Sequence, residues 1–379
     1  MPRKKNIRDL SLFRWSKQLK SKDFSKVSVK FIKKIALIIA GVLLPALFFA
    51  CFEIYIPVNP GSHETISFTA QKGWGDDEIA INLQKLGIIR SSYFFEFYVV
   101  LSLKHSALQA GEYNLSPKMS IHDIANKMAQ GDIIRDKVII LEGWDEKDIG
   151  KYLESKGICP ATRDPAQRDS QDDFLALVKK DYSDEFSAQG GPASGWDFLK
   201  DKPKDADLEG YLFPDTYEIS KGENCEDILI FLLANFDKKL TPELKTEIKN
   251  QEKSIFDIIT MASMIEKEVR TPDDKKIVSG ILWKRLAIGM PLQLDATINY
   301  ITDKSDASVL TKDTKIDSPY NTYKYKGLPK GPISNPGINS IIAAIYPTQT
   351  NYWYYLSDGK THFSETLEQH NAAKAKYLH

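Results

Sequence analysis

Apolar positions along the chain recur at two spacings, three or four residues in helical stretches and two in extended ones. One run follows neither. Residues 35–52, IALIIAGVLLPALFFACF, are 18 positions without a charge, long enough for a membrane-spanning helix. After a linker at 54–63 the pattern predicts a strand at 64–70, helices at 76–86 and 91–103, and a strand at 111–115. A helix then opens at Ser120-x-x-Asp123, with Ile121, Ile124, Ala125 and Met128 on one face. A strand at 137–141 and a helix at 145–156 follow.

Residues 160–207 are rich in Asp, Gly and Pro and read as an exposed insertion with one helix at 174–179. In 208–219, LEGYLFPDTYEI, Gly210 and Pro214 argue against a regular element. Its aromatics and Glu209 read either as a buried loop corner or as a carbohydrate platform. An apolar helix spans 225–240. Thr241-Pro242 and Thr271-Pro272 pair an N-cap with an N1 proline and open two further helices, the second over 273–288. Four prolines mark 318–337 as a long loop, followed by a helix at 339–346 and a buried strand at 352–357.

The stretch 254–270 predicts an amphipathic helix. Ile255, Ile259, Ala262 and Val269 form its apolar stripe, and Glu266 falls on that stripe while Lys267 and Glu268 point to water. A carboxyl facing apolar surface is disfavoured as an ion, so its pKa is expected to rise. Such a group suits a general acid. The alternative is a Glu at the edge of a core helix, snorkelling or salt-bridged.

At 379 residues the chain has room for two or three domains. Net charge is zero overall, yet residues 1–34 carry 12 Lys or Arg against Asp9 and Asp23. Lys30, Lys33 and Lys34 precede the apolar run directly, which predicts a cytoplasmic N-terminus and an exterior from about Glu53 onward. A cleaved signal peptide and a lipoprotein signal ending at Cys51 are the rival readings. Cys159 and Cys225 fall outside and are free to pair. The His and Cys spacings offer no metal site, and an acidic exterior argues against nucleic acid.

Five stretches together resemble one family: LEGYLFPDTYEI at 208–219, MASMIEKEV at 261–269, LQLDATINY at 292–300, SPYNTYKYKGLPKGPISNPG at 318–337, and the C-terminal YWYYLSDGKTHFSETLEQHN. They are similar, in this order, to the membrane-anchored endolytic murein transglycosylases, over roughly residues 60–375. His362-Phe363 and His370-Asn371 match the family's last motif, whereas Ser364-Glu365 stands where an Asn is expected.

The resemblance implies an α+β protein. Its parts are a basic tail (1–34), a transmembrane helix (35–53), a linker (54–63), a LysM-like subdomain (64–135) and a mixed α/β catalytic domain (136–379). It implies cleavage of nascent peptidoglycan strands between N-acetylmuramic acid and N-acetylglucosamine, leaving a 1,6-anhydro-muramyl end, with no cofactor. Glu266 takes the place of the family's essential Glu. Candidate substrate contacts are Glu209, Tyr211, Gln293, Asp295, Asn321 and Tyr323, and candidate partners are the membrane and peptidoglycan synthases. Two other classes stay open: a two-carboxylate glycosidase using Glu266 with Glu209 or Asp295, and a non-catalytic glycan-binding scaffold.

Overall fold

A computed structural model describes residues 29–159, 173–180, 196–220, 223–304 and 309–377. The basic tail expected at 1–34 lies almost wholly outside these residues. The chain divides into two compact units, Met1–Ile134 and Arg135–His379.

The first unit begins with α1 (Val29–Tyr55), whose segment Lys33–Tyr55 is long and apolar enough to cross a membrane. Helix α1 runs unbroken through Cys51. Strand β1 (Ile66–Ala70) pairs antiparallel with β2 (Gly111–Leu115), and between them lie α2 (Asp76–Lys85) and α3 (Ser92–Leu101). Helix α4 (Ile121–Ala129) closes the unit. Its start is fixed by a capping box, in which Ser120 Oγ accepts from Asp123 N and Asp123 accepts from Ser120 N. Ile121, Ile124, Ala125 and Met128, spaced for one helical face, are all buried in the unit's core.

The second unit holds β3 (Arg135–Ile139), α5 (Glu146–Ser155), α6 (Phe174–Lys179), β4 (Thr216–Ser220), α7 (Cys225–Lys239), α8 (Pro242–Asn250), α9 (Ile255–Glu268), α10 (Pro272–Ala287), α11 (Asp295–Thr302), α12 (Ile338–Ile345), β5 (Tyr354–Ser357), β6 (Thr361–Ser364) and α13 (Leu367–Tyr377). Both strand pairs, β3 with β4 and β5 with β6, are antiparallel. Thr241 and Thr271 cap α8 and α10, each with Pro at the first helical position. Cys159 and Cys225 form a disulfide between the chain after α5 and the start of α7.

Four sequence expectations change. Helix α9 is not amphipathic: every residue from Ile258 to Ile265 is buried, because α10, α11 and α12 pack around it. Residues 173–180 and 196–207 are no exposed insertion, since Phe174, Leu177, Val178, Phe198 and Leu199 enter the core. The remainder of 160–207 lies outside the described residues. The end of 208–219 is regular after all, as β4 takes its hydrogen bonds from β3. The strand expected at 352–357 is largely half-buried and has an unforeseen partner, β6.

Candidate active site

Glu266 lies in the last turn of α9, and both its carboxylate oxygens are occupied. Lys275 Nζ donates to Oε1 at 2.8 Å. The Gly337 N–H and Ser340 Oγ donate to Oε2 at 2.9 and 2.7 Å. Gly337 is the N-cap of α12 and Ser340 lies in its first turn, so the carboxylate sits at a helix N-terminus. There the unpaired amides and the helix dipole favour negative charge. The sequence reading set Glu266 against bare apolar surface. The structure instead gives it three donors from two neighbouring helices.

The loop carrying Gly337 is anchored from below. Ile333 N donates to Ser263 Oγ at 3.0 Å, and Ser334 Oγ donates to Ser263 O at 3.1 Å, tying the loop to α9. Asn335 is buried and makes six hydrogen bonds. Its Nδ2 donates to Glu209 Oε1 at 2.7 Å and to Trp144 O at 3.0 Å, its Oδ1 accepts from Gly210 N and Leu212 N, and its N–H donates to Trp144 O. Gly143 N returns a bond to Asn335 O at 2.9 Å, and Lys267 Nζ donates to Gly143 O at 3.0 Å. The segment 142–144 is thereby clamped beside Glu266. Glu142, exposed at the end of this clamp, lies against Gly337: a Cβ there would fall 1.9 Å from Glu142 Oε1. One glycine thus separates two carboxylates. Sequence reasoning missed Glu142, Lys275, Gly337 and Ser340, since only the meeting of α9, α10 and α12 makes them neighbours of Glu266.

Glu209 is completely buried, accepting from Glu146 N at 2.9 Å as well as from Asn335. Burial pushes its carboxyl well above the usual range, against the opposing pull of the Glu146 amide. It reaches the Glu266 loop through Asn335. Tyr211 is fully buried against Phe198 and Phe236, so the buried-corner alternative describes 208–214. Gly210 adopts φ +88°, and a Cβ there would come within 2.7 Å of Ile259 and Pro332.

The remaining candidates gather elsewhere in this unit. Gln293 is exposed, with φ +55° and its N–H donating to Thr322 O. A non-glycine residue in this left-handed region stores strain that its surroundings must hold. Asp295 is exposed and accepts from the Tyr323 hydroxyl. Asn321 is buried and spends its amide on the backbone, donating to Thr314 O and Ile316 O and accepting from Tyr323 N and Lys324 N. Beside Asp295 and Tyr323 lies Glu268, which does not point freely to water: it is half-buried and accepts from Tyr355 at 3.1 Å. Burial pushes its carboxyl up to about 7.

A YceG-like family model matches residues 68–376. The endolytic murein transglycosylase of Bacillus subtilis (strain 168) is 32% identical over 325 residues, covering 85% of this chain and 87% of that protein. The enzyme of that name from Streptococcus pneumoniae serotype 2 is 31% identical over 343 residues, and the match covers 60% of its greater length. Among solved structures, the yceG-like protein lmo1499 from Listeria monocytogenes is 32% identical, with a TM-score of 0.52 over 83% of this chain and 100% of that one. With a family match over most of its length and relatives at this identity, the chain belongs to the YceG-like family.

Proposed function

We propose that this chain is an endolytic peptidoglycan lytic transglycosylase, a lyase anchored by α1. Its N-terminus is cytoplasmic and its second unit lies outside the membrane. Lys33 and Lys34 at the start of the span support this orientation, and the relatives' names support the activity. The small unit, with β1 paired to β2 around two helices, serves as the LysM-like glycan-binding module. The observation that carries the catalytic reading is the Glu266 carboxylate, fixed by Lys275, Gly337 and Ser340 beside the exposed Glu142.

The reaction needs one group that first gives and then takes a proton. Lys275 Nζ, 2.8 Å from Oε1, is the group placed to supply that proton to Glu266 when a glycan strand covers the site and excludes water. Neutral Glu266 then protonates the glycosidic oxygen, and the bond from muramyl C1 breaks through an oxocarbenium-like state. The C6 hydroxyl attacks C1 within the same sugar, and its proton returns to Glu266. The ring closure is intramolecular, so its entropic cost is small. Water is neither consumed nor released.

Glu142 favours a second reading, a two-carboxylate hydrolase in which this residue, and not Glu209 or Asp295, activates water or attacks C1. Mass spectrometry of digested strands separates the two. The transglycosylase yields muramyl ends lighter by one water, whereas the hydrolase yields reducing ends. Reducing ends from the wild-type protein overturn the proposed function.

A further inference from the structure

Helix α3, SYFFEFYVVL, carries one charge, the half-buried Glu96, and has apolar residues on both its core side and its outer side. Phe95, Tyr98 and Val99 face the core of the first unit. On the other side Tyr93, Phe97, Val100 and Leu101, at positions i, i+4, i+7 and i+8, are 43–67% exposed, and Leu103 beyond the helix is 89% exposed. Single exposed apolar residues are common, but a contiguous exposed apolar face of this kind marks a surface that something apolar covers.

The helix is attached to the membrane span itself. Phe94 packs edge-on against Phe49, with ring centroids 5.6 Å apart. Arg90, just before α3, caps the end of α1: its guanidinium donates to Ile56 O at 2.6 Å, to Pro57 O at 2.8 Å and to Phe52 O, and pairs with Glu53 at 3.3 Å. A cation there complements the helix's C-terminal end. Phe49 stands six residues before Tyr55, the last of the span, which at 1.5 Å per residue places it about 9 Å inside. That is the depth at which interfacial helices lie, about 5–10 Å into the boundary between headgroups and acyl chains.

We infer that α3 is a membrane-interfacial helix. Its face of Tyr93, Phe97, Val100 and Leu101 enters the leaflet at the C-terminal end of α1 and holds the small unit against the bilayer. Tyr93 suits this depth, where an apolar ring and a polar hydroxyl are both satisfied. The inference rests on the anchoring role of α1.

The test uses the full chain in a Cys51→Ser background, reconstituted into phosphatidylethanolamine–phosphatidylglycerol vesicles. One environment-sensitive fluorophore is placed at Phe97→Cys, at mid-span Leu43→Cys, or at exposed Glu243→Cys in the second unit. Vesicles carry lipids with a nitroxide either high or deep on the acyl chain. The Leu43 probe is expected to be quenched by the deep label. The Phe97 probe is expected to be quenched by the shallow label, and several-fold less by aqueous iodide than the Glu243 probe. If Leu43 escapes the deep label, the anchoring reading fails and this inference with it. If Leu43 is quenched but iodide reaches Phe97 as readily as Glu243, only this inference is overturned. Protection of Phe97 from iodide without quenching by lipid labels means that a second copy or another protein covers the face, and overturns it equally.

Discussion

Glu266 and Lys275 form an ion pair of 2.8 Å in which the two side chains are only 7% and 3% exposed. They lie nine positions apart, on two helices joined by the extended Val269, Arg270 and the capping Thr271. Each charge is solvated by the other, so altering either residue disturbs both the chemistry and the fold.

Glu266→Gln is therefore expected to do two things. It removes the proposed proton donor, and strand cleavage should fall by about 10²–10⁴-fold or more. The amide oxygen can still accept from Lys275, but the amide NH₂ faces the Gly337 N–H, another donor. Stability should drop by about 1–3 kcal/mol, the usual penalty for a buried group left without a partner. Cleavage assays and thermal melts on the same preparation check both. Full activity in the variant removes Glu266 from the mechanism.

Lys275→Met tests the other half of the pair. It strands a buried carboxylate and should cost about 3–5 kcal/mol. Glu266→Gln combined with Lys275→Met leaves no net charge and should cost less than the two single changes added together. A double-mutant cycle by urea denaturation measures this coupling. Strict additivity would mean that the two groups do not interact in solution.

The reach of the sequence differs between elements for identifiable reasons. Helix α4 was legible because its cap and its face lie within one local stretch: Ser120 and Asp123 bond each other, and the four apolar positions are all buried. That Glu266 faces inward was legible too, from its place among Ile259, Ala262 and Val269. Its partners were not, because Gly337 and Ser340 are 71 and 74 positions away and no periodicity links α9 to α12. Composition misled at 173–180 and 196–207, where flanking Asp, Gly and Pro hid the core residues Phe174 and Phe198. Glu268 was assigned to water because the helix alone cannot show that Tyr355, 87 positions later, closes over it.

Glu142 can be moved without being replaced. Gly337 has φ −72°, which alanine adopts freely, but its Cβ would displace the Glu142 carboxylate. Gly337→Ala and Glu142→Gln should thus share a phenotype. We expect each to lower kcat with little change in KM, because in the proposed reaction a carboxylate at this position would stabilise positive charge that develops only in the transition state. The products should keep their anhydro ends. A change to reducing-end products, or a rise in KM alone, would assign Glu142 to substrate binding or to a hydrolytic role instead.

The pH dependence of stability has a defined sign. Glu268 and Glu146 both carry carboxyls raised from 4.5 to about 7, Glu268 by burial and Glu146 by burial with Asp207 nearby. One oxygen of Glu146 is buried with no hydrogen-bond partner among the described residues. Between pH 4.5 and 7 the folded protein holds protons at these two sites that the unfolded chain has released. Unfolding free energy therefore decreases as pH rises through this window, by up to about 3 kcal/mol per group. The stabilising contribution is complete below pH 4.5 and gone above pH 7. Glutamine is neutral throughout, so Glu268→Gln and Glu146→Gln should each flatten the profile and gain most, relative to the parent, near pH 8. Urea denaturation from pH 4.5 to 8 gives the slopes directly. Equal slopes in parent and variants would mean that these carboxyls ionise alike in the folded and unfolded chain.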